Sequence, residues 1–323
     1  MTDNDTTTTT PNAENVVVVP LAYDDDARDD LIRTEFDRDT LKRVCEMHED
    51  EFGAAYDMTR VQIADQPAPE DFYYFRDNGS RILAVAHLDT CVSHEQRTAN
   101  FVTLADGSEI VYSGALDDRL GAYTILELLP RLGIEVDLLL TVGEESGMST
   151  ADYFMPEKRY DWMIEFDRGG TDVVMYQFDD KDTRAAVRDC GARVGDGIFS
   201  DIAYLEHLGI KGFNWGVGYQ DYHSVRGHAY LDDYFMMIGY FMEFHYDNVG
   251  IHMPHEPRPS WYTSYNSAPI DDPYTGRAYT EEEDGRYDED GFWFADDSEL
   301  IVDDPTPEQL RRAQAWLDGN DED

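Results

Sequence analysis

The chain has 323 residues, of which 69 are acidic and 25 are basic, so its formal net charge is −44. Hydrophobic residues make up 41% and aromatic residues 13%, which is enough for a sizeable core and excludes a chain that is disordered throughout. The charge also argues against direct binding to nucleic acid, because the sequence has no basic stripe to neutralise phosphates.

The acidic residues are spread along the whole chain. Aspartate outnumbers glutamate by 45 to 24, and only four basic residues are lysine: Lys42, Lys158, Lys181 and Lys211. Such a charge destabilises a compact state by self-repulsion, but in about 1 M salt the screening length is only about 3 Å. The composition resembles that of proteins from extremely halophilic archaea or their viruses. It implies a high-salt cytoplasm, and association with a virus is left open.

Cysteine content and hydropathy indicate the compartment. The three cysteines, Cys45, Cys91 and Cys190, form no CxxC pair, so a disulfide framework is not expected and the compartment is predicted to be reducing. The first 15 residues lack the basic and apolar regions of a signal peptide, and the apolar run at 234–244 is too short to span a bilayer. We therefore expect a cytoplasmic protein without a membrane partner.

Three segments follow one another along the chain. Residues 1–16 are rich in threonine and are predicted to be a disordered arm. Residues 17–250 alternate apolar runs with amphipathic segments and are predicted to form one catalytic domain. Residues 251–323 are an acidic extension rich in proline and tyrosine, in which Thr306 and Pro307 predict the start of a short terminal helix.

The pattern of the central segment predicts strands that alternate with helices. Its patterns predict a hairpin of strands 72–75 and 81–87, a second hairpin of strands 101–104 and 109–112, and strands at 136–142, 162–166, 173–178 and 212–217. Helices are predicted at 116–132, 202–208 and 229–246. This alternation predicts a three-layer α/β/α fold with a mixed, mostly parallel central sheet.

Acids and histidines cluster in five short segments, and four of them lie at or just after a predicted strand end. The five are residues 86–90 (AHLDT), 114–121 (GALDDRLG), 142–147 (VGEESG), 165–170 (EFDRGG) and 221–224 (DYHS). Ligands bind at the carboxyl ends of strands in open α/β sheets. Burying so many carboxylates without a counter-charge is costly, and metal cations are the simplest solution. Histidine and carboxylate ligands suit zinc, with manganese or cobalt as alternatives.

The order HxD, Asp-Asp, Glu-Glu, Asp and His resembles the co-catalytic two-zinc aminopeptidase and carboxypeptidase superfamily over residues 70–247. The segment ALDDRLGA is similar to the glutamyl aminopeptidase branch, and GEESG is similar to the wider superfamily. The resemblance implies a zinc-dependent exopeptidase with two divalent metal ions. It also implies a role for each matching residue.

By this resemblance, His87 and Asp167 bind one metal, Glu145 and His223 bind the second, Asp117 bridges both, Asp89 orients His87, and Glu144 is the general base. Asp118 is an alternative to Asp117 as the bridge, and His228 is an alternative to His223. The segment 199–201 (FSD) is similar to an element that precedes the last histidine in the superfamily, with a structural role or a place at the substrate edge.

Several features narrow the architecture and the substrate. The stretches between His87 and Asp117 and between Asp167 and His223 are too short for an inserted lid or dimerisation domain. Cys91 is expected to be a buried, inert thiol. Arg168 is the only clear candidate for binding a substrate carboxylate, so carboxypeptidase action is less favoured.

The favoured function is an aminopeptidase that trims N-terminal residues of peptides by means of a two-metal-activated water. One alternative is a deacylase or amidohydrolase of N-acyl amino acids on the same site. Another is a non-catalytic structural or virion-associated protein that keeps the fold. Assembly into a homo-oligomer is left open.

Overall fold

The computed structural model describes residues 25–63 and 71–256, together with the backbone of residues 285–287 and 293–295. The chain divides into two units, residues 1–257 and 258–323. In the second unit the structure describes an antiparallel pair of strands, Gly285–Tyr287 and Trp293–Ala295. The predicted N-terminal arm and terminal helix lie outside the described residues, and the three-segment division stays a prediction.

Helices and strands alternate through the first unit. The helices are α1 (Asp25–Glu35), α2 (Arg38–Glu46), α3 (Phe52–Ala55), α4 (Leu116–Tyr123), α5 (Leu129–Arg131), α6 (Lys181–Asp189), α7 (Asp201–Tyr204) and α8 (Leu231–Asn248). The strands are β1 (Thr59–Gln62), β2 (Phe72–Arg76), β3 (Ile82–His87), β4 (Asn100–Thr103), β5 (Glu109–Tyr112), β6 (Asp137–Thr141), β7 (Trp162–Gly169), β8 (Val173–Val174), β9 (Gly212–Gln220) and β10 (His228–Tyr230). A π-helical turn, Thr124–Leu128, joins α4 to α5.

All ten strands of the first unit belong to one mixed sheet. Its order is β1-β2-β6-β3-β7-β9-β10-β5-β4, with β8 paired to β9. The four central strands β6, β3, β7 and β9 are parallel. Strand β10 is antiparallel to both β9 and β5, so β5 runs in the same direction as the central strands. The carboxyl ends of β3, β5, β6, β7 and β9 therefore lie at one edge of the sheet.

The first predicted hairpin is wrong, because β6 lies between β2 and β3. Strand β2 pairs antiparallel with β6, and β3 pairs parallel with it. The connection between β2 and β3 passes over the start of β6, where the Asp137 carboxylate accepts hydrogen bonds from the backbone amides of Asn78 and Ser80, each at 3.0 Å. Strand β3 is buried along its whole length and so needs a neighbour on each side.

Most other predicted elements are present with shifted ends. The hairpin of β4 and β5 is confirmed. The helix predicted over 229–246 begins at Leu231, because the residues before it pair as β10. The strand predicted at 173–178 ends after Val174 and continues as a 3₁₀ turn, Tyr176–Phe178.

Helices cover both faces of the sheet. On β7, the Phe166 ring packs against Phe241 of α8 with 5.0 Å between ring centroids, whereas the neighbouring Glu165 contacts Ser200 at the start of α7. Consecutive strand residues point to opposite faces, so α7 and α8 lie on opposite sides. The predicted three-layer fold with a mixed sheet is thereby confirmed, whereas the absence of an inserted lid stays a prediction. No helix in the described part is long and apolar enough to cross a membrane.

The helices before β2 were not predicted, and they add an outer layer on one face. Phe36, which follows α1, packs edge to face against Tyr123, Tyr234 and Phe235, with ring centroids 5.5, 5.8 and 5.1 Å away. Such aromatic pairs contribute about 0.5–1.5 kcal/mol each beyond the burial of their area. This layer holds α4 and α8 in place, and α4 carries part of the site described below.

The start of α6 gives a stability prediction. The Asp180 carboxylate caps this helix by accepting hydrogen bonds from the amides of Asp182 and Thr183, each at 2.9 Å, and it pairs with Lys211 at 2.6 Å. Burial raises the pKa of Asp180, but the bonds from Lys211 and Thr183 outweigh it and lower that pKa to about 2. We expect Asp180→Ala to reduce the free energy of unfolding by about 1 kcal/mol at neutral pH, as measured by urea unfolding in molar KCl.

Because the folded-state pKa of Asp180 lies below its ordinary value of 3.8, the contribution is complete above that value and is lost as pH falls toward about 2. The difference between parent and variant should therefore shrink as the pH falls below about 4. Asp182→Ala, at an exposed position in the same turn, is the control. An equal effect of the two substitutions at every pH would contradict the cap.

Candidate metal centre

The structure brings all five acid- and histidine-containing segments together at the carboxyl edge of the sheet. His87 is the last residue of β3, and Asp117 is the second residue of α4, which follows β5. Glu144 and Glu145 follow β6, Asp167 lies near the end of β7, and the loop after β9 carries the last histidine. The peptide bond between Asp117 and Asp118 is cis.

One glycine allows the Glu-Glu segment to turn into the site. Gly143 has a φ of +86°, and a Cβ at this position would lie 2.5 Å from the carbonyl oxygen of Met148. Only glycine fits such a backbone without strain. The turn places Glu144 and Glu145 directly after the buried strand β6.

A first group of potential ligand atoms forms around His87. Its Nε2 atom lies 3.1 Å from Oδ1 of Asp117 and 3.7 Å from Oδ1 of Asp167. The His87 side chain is fully buried, and the two carboxylates are nearly so. The three side chains together could hold one cation.

A second group lies on the other side of Asp117. His223 Nε2 is 3.0 Å from Oδ2 of Asp117 and 3.3 Å from Oε2 of Glu145. The same Glu145 oxygen is 2.9 Å from the Sγ atom of Cys91. Asp117 therefore faces one group with each of its two oxygens.

The alternatives to Asp117 and His223 point elsewhere. Asp118 Oδ1 accepts hydrogen bonds from the amide of Gly121 at 3.0 Å and from the Tyr219 hydroxyl at 3.1 Å. His228 is half-buried, and its Nδ1 atom contacts the carbonyl oxygen of Arg226 at 3.0 Å. The geometry thus favours Asp117 as the bridge and His223 as the last histidine.

Asp89, predicted to orient His87, contacts its ring chiefly through the backbone. His87 Nδ1 is 3.0 Å from the Asp89 carbonyl oxygen and 3.6 Å from its carboxylate. A proton on Nδ1 leaves the lone pair of Nε2 facing Asp117. The Asp89 carboxylate instead accepts the amide hydrogen of Glu145 at 3.1 Å, so it ties the two groups together.

The site crowds carboxylates where water is largely excluded. Burial raises the pKa of Glu144 to about 8, with Asp201 and Asp117 adding to the shift. Burial and the neighbouring Asp117 raise the pKa of Asp167 well above its usual range. Burial lowers the pKa of His87, but Asp167 and Asp117 outweigh it and hold that pKa well above its usual value. Positive charge between the carboxylates would relieve this cost of burial and repulsion.

The donor set fits divalent metal ions. Within the two groups the nitrogen–oxygen distances run from 3.0 to 3.7 Å. Two ligand atoms that share a tetrahedral zinc ion lie about 3.3 Å apart. In addition, Oε1 of Glu145 is buried and has no hydrogen-bond partner among the residues that the structure describes. Nitrogen and oxygen donors in this arrangement suit zinc.

A buried polar network behind Asp167 was missed from the sequence. The pairing of β7 with β9 shifts register between Glu165 and Arg168, so the Asp167 amide has left the ladder. The Asn214 side chain of β9 accepts that amide hydrogen at 3.0 Å. Its Nδ2 atom donates to the hydroxyls of Tyr176 at 3.0 Å and Ser200 at 3.2 Å. No sequence signal marked Asn214, because a β-bulge is not visible in a pattern of residue types.

Cys91 and the segment 199–201 both lie near the ligand groups. The Cys91 thiol was predicted to be buried and inert. Its predicted burial is wrong, because Cys91 is exposed in the loop after β3, whereas its inertness stays a prediction. Ser200 and Asp201 are fully buried, where they contact Glu165 and Thr141 respectively. These contacts favour the structural role for the segment 199–201.

Comparison with known proteins supports the resemblance to peptidases that the site residues suggest. Residues 73–202 match the model of peptidase family M28. No curated protein matches the chain in sequence. The match spans four of the five segments and confirms the predicted resemblance. The family match supports a metal-dependent peptidase of the zinc-dependent exopeptidase type.

Solved structures of similar fold include several peptidases. A tripeptidase from Staphylococcus aureus Mu50 is 12% identical, with a TM-score of 0.47, and the match covers 67% of this chain and 97% of that one. A TET aminopeptidase from a marine sediment Thaumarchaeota archaeon is 13% identical, with a TM-score of 0.42 and coverages of 63% and 95%. The Pyrococcus horikoshii TET1 peptidase is 14% identical, with a TM-score of 0.40 and coverages of 59% and 92%.

Proposed function

We propose that the protein is an aminopeptidase that removes N-terminal residues from peptides with the help of two metal ions. The observation that carries this proposal is the position of Asp117, whose two carboxylate oxygens lie 3.1 and 3.0 Å from histidines of two separate ligand groups. A carboxylate placed in this way can bridge two cations. If the site held a single ion, one of the two ligand groups would have no cation to bind.

The ligands divide between the two ions as the groups do. His87 and Asp167 would hold the first ion, Glu145 and His223 would hold the second, and Asp117 would contact both. Zinc is proposed for both sites, because the donors are imidazole and carboxylate. When bound, two such ions lower the pKa of a shared water and polarise the scissile carbonyl.

Glu144 is the proposed general base. Its side chain is largely buried, and its Oε2 atom lies 3.8 Å from Nε2 of His87. Glu144 takes one proton from the attacking water while the oxygen bonds to the carbonyl carbon. It then gives that proton to the amine nitrogen as the C–N bond breaks. Glu145, the next residue, is the proposed ligand of the second ion. The adjacent glutamates therefore have different roles, Glu144 as a base and Glu145 as a ligand.

The state of Arg168 favours cleavage from the amino end. Its guanidinium donates to the carboxylate of Asp172 at 3.1 Å and to the carbonyl oxygen of Asp196 at 2.9 Å. The one arginine that the sequence suggested for a substrate carboxylate is therefore already engaged. A carboxypeptidase would need such a group to be free.

High salt is the proposed working condition. The net charge of −44 is large for a chain of this length, and salt at about 1 M screens such repulsion. The proposed compartment is a cytoplasm with such a salt content. Assays of this protein should therefore be carried out in molar KCl.

Matched substrates test the proposed function. The zinc-loaded protein is incubated with one peptide in three forms, with a free N-terminus, with an acetylated N-terminus and with an amidated C-terminus, and products are identified by mass spectrometry. We expect stepwise N-terminal trimming of the free and amidated peptides, and none of the acetylated peptide. Release of acetate from the acetylated form would favour the deacylase alternative, and cleavage that requires a free C-terminus would indicate a carboxypeptidase.

Asn214 gives a further prediction about the first metal site. Asn214→Ala removes the partner of the Asp167 amide and leaves that buried N–H unpaired. Loss of a group that orients a metal ligand lowers metal affinity by about 10- to 100-fold. In titrations against a competing chelator, we expect one of the two zinc sites to lose affinity by this factor and the other site to keep its parental affinity. Asn248→Ala, at the end of α8, is the control, and equal zinc affinity in the two variants would contradict the role of Asn214.

A further inference from the structure

Cys91 lies next to the second ligand group. The thiol is exposed on the loop after β3, and its Sγ atom is 2.9 Å from Oε2 of Glu145. One ligand atom each from Cys91, Glu145 and His223 lie within 4.8 Å of one another. We propose that the Cys91 thiolate is a ligand of the second metal ion, beside Glu145 and His223. This proposal rests on the proposed function.

An independent observation comes from Glu145. Its side chain is only 10% exposed, and its Oε1 atom is buried with no hydrogen-bond partner in the described part of the chain. The other oxygen, Oε2, is shared between Cys91 and His223. A cation at this position would stabilise a buried carboxylate that has one unpaired oxygen and that shares its other oxygen with a thiol and an imidazole.

The spacing suits a sulfur ligand. Zinc binds thiolate sulfur at about 2.3 Å and imidazole nitrogen at about 2.0–2.1 Å, so sulfur and nitrogen on one tetrahedral ion lie about 3.6 Å apart. Cys91 and Glu145 are already closer than that, and both belong to loops at the edge that carries the site. Small side-chain rotations would therefore place sulfur, nitrogen and oxygen around one ion.

The chemistry of ligation is specific. As the ion binds, the S–H bond of Cys91 breaks, a sulfur–metal bond forms, and the proton leaves to solvent. The second site then differs from the first, whose donors are imidazole and carboxylate only. Soft thiolate selects zinc over hard ions such as manganese and magnesium. Cys91 is thus a metal-selecting residue of one half of the centre.

Cobalt substitution tests the proposal by spectroscopy. The full chain, freed of metal, is titrated with Co²⁺ in molar KCl while the bound cobalt is counted. We expect two ions per chain and a thiolate-to-cobalt charge-transfer band in the near ultraviolet. The band should persist in Cys190→Ser, whose parent thiol is buried elsewhere, and vanish in Cys91→Ser with cobalt still bound.

Alkylation gives a second measurement that does not depend on activity. At alkaline pH, where more of the thiol is ionised, iodoacetamide should modify Cys91 in the metal-free protein, and zinc should protect it, as read by mass spectrometry of the peptide that contains it. Two bound cobalt ions without the band, a band that survives in Cys91→Ser, or an alkylation rate that zinc does not change would overturn the proposal and leave the aminopeptidase intact. A chain that binds no cobalt would overturn both.

Discussion

Glu144→Gln is expected to lower kcat for peptide hydrolysis by about 10²- to 10⁴-fold, which is the range that a general base contributes. The amide has nearly the shape of the carboxylate but cannot accept the water proton. Because Glu144 is not among the proposed ligands, zinc content should stay at the parental value, and KM should change little. The measurement is steady-state kinetics on a free-N-terminus peptide, paired with metal analysis of the same sample.

The control for this variant is Glu157→Gln, which removes the same charge from an exposed position. It should keep parental kcat, since the site is untouched. If Glu144→Gln loses zinc along with activity, Glu144 is a ligand rather than a base. If it retains most of its activity with zinc bound, another group takes the proton and the proposed mechanism is wrong.

Asp117→Asn is expected to lose at least one of the two zinc ions and to reduce activity by more than about 10²-fold. An amide offers one oxygen, so it cannot bridge as the carboxylate does. Its oxygen and nitrogen would face His87 and His223, and the nitrogen side would repel a cation. Zinc counted per chain after dialysis in molar KCl is the direct readout.

Asp118→Asn is the matched control for the bridge, because it changes the adjacent residue in the same way. The Asp118 carboxyl is fully buried, and burial raises its pKa well above the usual range. Its Oδ1 contacts to Gly121 and Tyr219 can be kept by an amide oxygen. We expect near-parental zinc content in Asp118→Asn. The reverse pattern, with zinc lost from Asp118→Asn and kept in Asp117→Asn, would assign the bridge to Asp118.

The convergence of the five segments was easier to predict from the sequence than the order of the strands. Four segments lie at or just after strand ends, Asp117 lies in the helix after β5, and the carboxyl ends of same-direction strands meet at one edge. Their convergence therefore needed only the strand direction to be right. The order of strands was not needed, so the wrong hairpin at 72–87 did not affect it.

The features that were missed depend on contacts between distant residues. The insertion of β6 between β2 and β3 is decided by a partner some fifty residues later in the chain, and local turn residues at 77–80 carry no sign of it. Asn214 acts because a bulge in β7 frees the Asp167 amide. The exposure of Cys91 follows from the path of the loop after β3, and residue type alone predicted burial.

Diffraction at the zinc absorption edge, from crystals grown in molar KCl with zinc, tests the two-metal centre most directly. We expect two anomalous peaks, one on each side of Asp117. One should lie beside His87 and Asp167, and the other beside Glu145 and His223. A single peak, or none near Asp117, would contradict the two-metal centre.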